Sequence, residues 1–361
     1  MVSRKRDAVV RIFPVGNNAF RTYNVLVRAR CFILFLILIC SVEGAAAADM
    51  EITPFDTFNQ SPLVQIYGLP HDTGADIVPP GKFSITLNQD LSSNYTASST
   101  SHEQILLDGE TYRIAFAARY GIAPRWDVGV EMPFLIQGGG FLDAFVVDWH
   151  KTFGLPQGGR DSATKDRINY SYSKDGVQKL LMNHSGSGVG DISLTTGFGL
   201  YENSSDTSHD QLALKAALKL PTGDSSYLRG SGGTDAMLQL CGSMTNYSEW
   251  GALGVYGSAG ALVMSKGDVL RDQHNPFAGV GTFGLGWGPT PWISFKVQLN
   301  GTTPLYSDSS LAELSRSPLL LVVGGALKFP GEYLLDIGVS EDVAVATAPD
   351  VSFHLGLSTR F

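Results

Sequence analysis

The last eleven residues of the chain, Val351-Ser-Phe-His-Leu-Gly-Leu-Ser-Thr-Arg-Phe361, decide the fold class. Apolar residues at 351, 353, 355, 357 and 361 alternate with small or polar residues at 352, 354, 356, 358 and 360. A period of two indicates a β-strand with one apolar and one polar face. Such strands occur in soluble β-sandwiches and in membrane barrels, so the rest of the chain must distinguish these two architectures.

The same alternation predicts further strands upstream. We expect twelve strands in all, at about 82–95, 111–122, 126–137, 188–202, 210–222, 235–246, 250–265, 277–288, 292–306, 317–329, 333–343 and 350–361. Strands of about this length can cross a bilayer at a tilt, and they exceed the five or six residues usual in globular sheets. An even number is also what single-chain bacterial barrels have.

The connections between these strands give an independent indication. The links after strands 2, 4, 6, 8 and 10 are short, whereas 96–110, 139–187, 223–234, 266–276, 307–316 and 344–349 are longer and polar. Short periplasmic turns alternating with long external loops are typical of outer-membrane barrels. Four tryptophans lie beside the short turns, as an aromatic belt at the membrane interface requires: Trp126, Trp250, Trp287 and Trp292. We therefore predict an all-β, transmembrane, antiparallel up-and-down β-barrel of about 12 strands in a bacterial outer membrane.

The N-terminus differs from the rest of the chain in charge. Residues 1–48 contain seven basic and two acidic residues, a net charge of +5. Because the whole chain has a net charge of −8, residues 49–361 carry a net charge of −13. The basic flank, the apolar run 31–40 and the small residues 45–48 predict a cleaved secretory signal peptide. We assign 1–48 to this leader, 49–81 to a periplasmic N-terminal segment and 82–361 to the barrel. The acidic body argues against a nucleic-acid partner.

The segment 139–187, between strands 3 and 4, predicts an extracellular insert that is a candidate plug or lid. Its apolar residues recur at helical spacing and indicate an amphipathic helix: Phe141, Phe145, Trp149 and Phe153. An apolar face must pack against lipid, against a partner or inside the barrel. We expect 141–156 to pack into or across the outer mouth, against Leu320 and Val322. A small hairpin is predicted around Lys174-Asp-Gly176.

Several segments resemble an uncharacterised family of Gram-negative outer-membrane barrels, domain of unknown function 3187. The resemblance is carried by Asn59-Gln-Ser-Pro-Leu-Val-Gln-Ile-Tyr-Gly-Leu-Pro70, Leu107–Arg113, Gly138–Asp143 with Trp149-His150, and Phe153-Gly-Leu-Pro-Gln-Gly-Gly-Arg160. The final strand also resembles the C-terminal assembly signal of outer-membrane barrels, with Phe353 and Phe361 as its aromatic residues. This resemblance implies a barrel, outer-membrane lipids and the barrel-assembly machinery as partners, and no established activity.

Enzymatic function is weakly supported. An outer-membrane lipid hydrolase of the twelve-stranded type uses His and Ser two residues apart, and none of the seven histidines is followed by Ser at that spacing. Ser352-x-His354 has the reverse order. No zinc, phosphate-loop or calcium-loop motif occurs, so we predict neither a cofactor nor a metal. Cys241 would be the single cysteine of the mature chain.

Strand parity predicts which charged side chains line the lumen: Arg113, Arg119, Asp127, Glu131, Asp191, Lys215, Lys219, Lys296, Asp336 and Arg360. They could form a solute path or pair with one another across the lumen, and the sequence leaves both readings open. Residues 319–323 are apolar on both faces, which suggests that something packs against them from within. We predict a narrow or gated channel for an unidentified small solute. A structural or ligand-binding barrel without transport is the alternative, and a lipid hydrolase comes third.

Overall fold

The structure is a computed structural model that describes residues 50–154, 159–343 and 348–361. The predicted leader, residues 1–48, lies outside the described residues. No helix within the described ranges is both long and apolar enough to cross a membrane.

Fifteen strands form one antiparallel sheet. They are β1 Phe83–Ser99, β2 Glu103–Ala123, β3 Trp126–Gly138, β4 Asn169–Lys174, β5 Val177–Met182, β6 Gly186–Val189, β7 Ile192–Ser204, β8 Ser208–Leu220, β9 Asp235–Ser248, β10 Gly251–Met264, β11 Phe277–Thr290, β12 Ile293–Thr302, β13 Leu319–Phe329, β14 Tyr333–Asp342 and β15 Val351–Arg360. Twelve of them, β1–β3 and β7–β15, pair in sequence, and β15 pairs with β1 from Ser93↔Val351 to Ser84↔Arg360. The predicted closed barrel of twelve strands is confirmed.

The barrel has two distinct ends. The short connections 124–125, 205–207, 249–250, 291–292 and 330–332 lie at one end, which we call the turn end. The opposite, loop end carries the insert and the longer connections. One expected loop is absent, because β1 and β2 continue their ladder to Ser99↔Gln104 and leave only 100–102 as a turn. Polar residues of this extension have partners in the insert: Asp108 of β2 pairs with Arg167 at 2.6 Å.

The two faces of the wall differ sharply in polarity. On β3, Val128, Val130 and Met132 point outward and are 37–47% exposed, whereas Asp127 and Glu131 point inward and are at most 6% exposed. An apolar outer surface around a polar interior is the reverse of a soluble protein and suits a barrel surrounded by lipid.

The insert differs in part from its prediction. The expected hairpin is β4–β5, which turns at Asp175 and Gly176 with positive φ at both residues. The expected helix is α1, Asp143–Phe153. It does not enter the mouth, however: Leu142 and Val146 pack on Val351 and Phe353, and the Phe145 ring lies 5.8 Å from the ring of Phe353.

Phe353 alternates with the inward-facing Ser352 and His354, so α1 lies on the outside of the wall, over β14, β15 and β1. The indole of Trp149 donates to Glu341 at 3.0 Å, while Phe141 stays 60% exposed. The prediction that α1 packs against Leu320 and Val322 is therefore wrong. An apolar helix face finds a larger apolar surface on the lipid-facing wall than in the polar lumen. The side chain of Phe153, the fourth apolar residue predicted for this face, lies outside the part of the chain that the structure describes.

The N-terminal segment 50–80 lies inside the lumen of the barrel. The sequence analysis predicts a periplasmic location for this segment instead. It rises from the turn end to the loop end, reverses at 61–67, and descends to Pro80, which bridges to Gly121. We call this segment the plug. It supplies the inner partner that the two apolar faces of 319–323 suggested, since Phe55 and Val322 meet beside Gly338.

Candidate functional site

The ascending limb of the plug, residues 50–60, follows β12 residue for residue. Lys296 donates to the carbonyl of Thr53 at 3.0 Å, and Asn300 to that of Thr57 at 3.0 Å. Between them, the Gln298 amide both accepts from the Phe55 N–H at 2.8 Å and donates to its carbonyl at 3.1 Å. Each pair is separated by 243 positions, so the limb runs parallel to β12. Inward polar side chains thus satisfy the backbone of a segment that has no strand partner.

The reversal of the plug closes the loop end with apolar side chains. Leu63, Ile66 and Tyr67 are at most 3% exposed. They pack with apolar residues from β2, the β4–β5 hairpin and the loops that follow β8, β10 and β12: Ile105, Leu107, Tyr170, Tyr172, Leu228, Met264, Leu270, Leu305 and Leu311. The hydroxyl of Tyr306 donates to the carbonyl of Leu63 at 2.7 Å. The mouth is therefore sealed by the plug and by the second half of the insert, not by α1.

The descending limb, residues 66–80, is held by charge. Asp72 contacts Lys215 at 2.6 Å and Arg119 at 3.0 Å, and Asp76 contacts Arg119 at 3.2 Å and Arg360 at 2.8 Å. The acidic limb thus neutralises basic residues on β2, β8 and β15. Their partial burial makes these pairs stronger than surface ion pairs.

The limb leaves the barrel beside Gly121. A side chain at this position would lie 2.0 Å from the Pro79 carbonyl oxygen, so only glycine allows the chain to pass.

The remaining predicted lumen residues also point inward and carry partners. Arg113 pairs with Glu131, Lys296 pairs with Asp336, and Asp127 binds Arg119 at 2.5 Å. Lys219 contacts Asp191 at 2.6 Å and also donates to the carbonyl of Ile66 in the plug at 3.0 Å. All ten side chains thus lie on the lumen side of the wall in the structure. Several of their partners belong to the plug, which the sequence analysis had assigned elsewhere.

A polar cavity of about 210 Å³ remains at the turn end. It lies between the two limbs of the plug and the wall formed by β1, β2, β14 and β15, and Asp56, His71 and Asn88 are among the residues that line it. Burial, together with the neighbouring Asp72 and Asp336, raises the pKa of Asp56 well above its usual value. Burial lowers the pKa of His71 to about 4, so this imidazole is neutral near pH 7.

Across residues 50–154, 159–343 and 348–361, no group of three or more His, Cys, Asp or Glu side chains is placed to hold a metal ion. Cys241 is buried in the wall beside Ala213.

The plug could have been suspected from inward-facing glycines. Gly254 and Gly286 lie on the lumen face of β10 and β11, and a side chain at either position would come within 2.4 Å of Ile52. A lumen of twelve strands is wider than one that its own side chains fill. Glycines on its inner face therefore indicate that another segment occupies the space.

Comparisons with known proteins agree with this architecture. The model of one family, described as "Protein of unknown function (DUF3187)", matches residues 31–361. No curated protein is significantly similar to the chain.

Among solved structures, the COG4313 outer membrane channel from Pseudomonas putida F1 aligns with a TM-score of 0.52 at 16% identity, over 80% of this chain and 98% of that one. The translocator domain of the autotransporter NalP from Neisseria meningitidis aligns at 0.38 and 12% identity, over 80% and 91%. The toluene transporter TbuX from Ralstonia pickettii aligns at 0.33 and 10%, over 89% and 99%. The first of these similarities supports the barrel fold; the other two carry no further argument.

Proposed function

The chain belongs to the DUF3187 family of proteins of unknown function, and from this premise we propose that it is a gated outer-membrane channel for a small solute. In this proposal the plug is the gate, and the closed state is the one described above. The observation that carries the proposal is that the lumen is filled by a separate segment of the chain, which hydrogen bonds and ion pairs join to the wall, rather than by side chains of the wall. The channel described for the Pseudomonas putida protein is consistent with this reading.

The chemistry of the plug supports reversible closure. Both limbs contact the wall through hydrogen bonds and ion pairs, which water and solute ions can replace one at a time. Apolar packing is concentrated at the reversal 61–67, and smaller apolar clusters hold Met50 and Ile52 of the ascending limb and Ala75 of the descending limb. The plug is joined to the barrel at Gly81, so it can leave the lumen toward the turn end without any break in the sheet.

Conductance of the refolded protein in a planar bilayer tests the proposal. A variant that lacks residues 50–78 should pass a steady current, whereas the full chain should be closed most of the time. A variant that lacks residues 141–153 is the matched control, because α1 lies outside the lumen and its removal should leave the current of the full chain unchanged. A plug-deleted barrel that keeps its heat-modifiable mobility and passes no ions would contradict the proposal.

A structural or ligand-binding barrel is the second candidate. Its support is the extent of the buried ion pairing, since Lys219 alone contacts Asp191 at 2.6 Å and Asp235 at 3.1 Å. Such a network stabilises one closed state whether or not solute ever passes. A sealed lumen in the plug-deleted variant would favour this second function.

A further inference from the structure

We infer that the turn-end cavity is a binding site for a small organic cation, an amine bearing one or two ammonium groups, with Asp56 as its principal anchor. This inference names a class of solute for the proposed channel. It rests on the proposed function for the idea that solute enters the barrel. It is carried by three features of the cavity: a carboxylate without an ion pair, a buried acceptor without a donor, and two further acidic side chains that contact no lysine or arginine.

Asp56 differs from the other aspartates of the lumen. Asp72, Asp76, Asp127, Asp191 and Asp336 each contact a lysine or an arginine. Asp56 lines the cavity and is half-buried, and it makes no ion pair and no side-chain hydrogen bond with any residue that the structure describes. Its two neighbours in the chain are fixed to β12, Phe55 through Gln298 and Thr57 through Asn300. The backbone therefore holds this carboxylate at the cavity, where no described side chain pairs with it.

Asn88 provides an independent acceptor. This residue of β1 is 3% exposed and lines the cavity, and its side-chain oxygen has no hydrogen-bond partner. A buried acceptor without a donor costs about 1–3 kcal/mol, and a ligand that donates a hydrogen bond would remove that cost. Both Asn88 and Asp56 thus lack a donor, which an ammonium group supplies.

The charge of the cavity fixes the sign of its ligand. Seven carboxylates border it. Asp72, Asp76, Glu131 and Asp336 are each paired with a lysine or an arginine, whereas Glu51, Asp56 and Glu332 contact neither among the residues that the structure describes. Burial raises the pKa of Asp56, and Asp72 and Asp336 raise it further because they disfavour another negative charge beside them. A bound cation reverses that penalty.

Size and ligand geometry narrow the class further. The cavity, at about 210 Å³, is smaller than the roughly 300–1,000 Å³ of sites for drug-sized ligands. The described residues also lack a cluster of three metal-binding side chains, so directional hydrogen bonds to a compact amine suit the site better than metal coordination.

Calorimetric titration of the refolded full chain in detergent tests the inference. Diaminobutane should bind, whereas butanediol and succinate, which have similar length and no positive charge, should not. Asp56→Asn should weaken diaminobutane binding at least tenfold, about 1.4 kcal/mol. Asp206→Asn is the control of equal charge change, since Asp206 is exposed in the β7–β8 turn, and it should bind like the native chain. Asn88→Ala, which leaves Asp56 in place, should also weaken binding.

Three outcomes would overturn the inference: no binding of diaminobutane, unchanged affinity in Asp56→Asn, or equal affinity for butanediol or magnesium. The assay requires no ion flow and is therefore separable from the gating proposal. A barrel that binds the amine but never conducts would retain this site and lose the channel function.

Discussion

At the scale of single residues, Arg119 is the side chain on which the closed lumen depends most. Its guanidinium contacts Asp72 at 3.0 Å, Asp76 at 3.2 Å and Asp127 at 2.5 Å, and it also donates to the Asp76 carbonyl at 2.7 Å. Two of these carboxylates belong to the plug and one to the wall. Arg119 therefore joins the descending limb to β3 through a single planar group, a geometry that lysine could not reproduce.

Arg119→Gln should open the channel without unfolding the barrel. Removing one partner of a largely buried ion pair costs about 3–5 kcal/mol, and here the loss falls on contacts that hold the plug, since the strand ladders do not use this side chain. We expect the bilayer current to rise toward that of the plug-deleted variant. Arg125→Gln, an exposed change in the adjacent turn, should leave the current unaltered, and equal currents in both variants would count against the role of Arg119.

Strand parity, the alternation of side chains between the two faces of a strand, is informative at this scale because it depends only on residues that are adjacent in the sequence. It assigned Lys215 and Arg360 to the lumen face, and both contact the plug in the structure. It could not identify Asp72 and Asp76 as their partners, because residues 50–80 have no period of two or of 3.6 from which to read a structure. Contacts of an irregular segment depend on the shape of the barrel that surrounds it, and a linear sequence does not contain that shape.

At the scale of elements, the insert is attached to the outer wall by Arg160. This buried side chain contacts Asp143 at the start of α1 at 2.8 Å and Asp350 before β15 at 2.6 Å, and it donates to the Ser93 hydroxyl of β1 at 2.9 Å. Glu110 accepts hydrogen bonds from the N–H groups of Phe141 and Leu142 at the N-terminal end of α1. The insert thus covers the pairing of the first and last strands at the loop end.

Arg160→Gln should release the insert while the barrel stays folded. The two aspartates would lose a common cation, which would leave the hydrogen bonds to Glu110 and the apolar contacts of α1 with the wall as its attachments. Limited proteolysis should then cut within 139–167 several times faster than in the native chain, with unchanged bilayer current. Arg316→Gln, an exposed change at the same end, is the control; an equal cutting rate in both variants would show that Arg160 does not hold the insert.

The amphipathic pattern predicted the helix α1 but not the surface on which it packs. The helical spacing of apolar residues shows that one face is apolar, but it does not say which apolar surface covers that face. Phe141, Phe145 and Trp149 suit the lipid-facing wall as well as they would suit a mouth. The deciding contacts are polar: Arg160 and Glu110 fix the helix to β1, β2 and β15. Such pairs join residues far apart in the sequence and leave no local signal.

The final strand closes the barrel through Phe361. Its N–H donates to the Phe83 carbonyl at 3.0 Å, its carbonyl accepts from the Phe83 N–H at 2.9 Å, and the two rings stack at 6.0 Å. Deleting Phe361 removes both hydrogen bonds at the turn end of the β1–β15 ladder. We expect a several-fold lower yield of heat-modifiable barrel in the outer membrane with normal synthesis. Phe353→Leu, which keeps an apolar side chain in the same strand, should have a smaller effect; an unchanged yield without Phe361 would exclude it as an assembly signal.

At the scale of the whole molecule, the barrel is closed asymmetrically. The loop end is sealed by apolar packing between the plug reversal and the surrounding loops, whereas the turn end retains the polar cavity. The twelve strands were predictable because each has its own alternation. The closed state was not, because it depends on a separate segment folding back into a lumen whose width only the assembled barrel defines.

Because the two ends differ, we expect the plug, added as a separate peptide, to block the barrel from one side only. A synthetic peptide of residues 50–80, added to the plug-deleted barrel in a planar bilayer, should block the current from the chamber that faces the turn end. It should have little effect from the opposite chamber, where the loops narrow the mouth. In the native chain the plug is tethered and has an effective concentration of about millimolar, so the free peptide should require high micromolar concentrations or more.

A peptide in which Asp72 and Asp76 are both replaced by Asn is the matched control. It keeps the apolar reversal and the β12-following limb but loses the ion pairs to Arg119, Lys215 and Arg360, so it should block at least tenfold less tightly. Equal block from both chambers, or equal block by the two peptides, would mean that the charged lumen does not recognise the plug. The acidic limb and the basic wall would then be a structural network, and the gate would have to be sought among the loops.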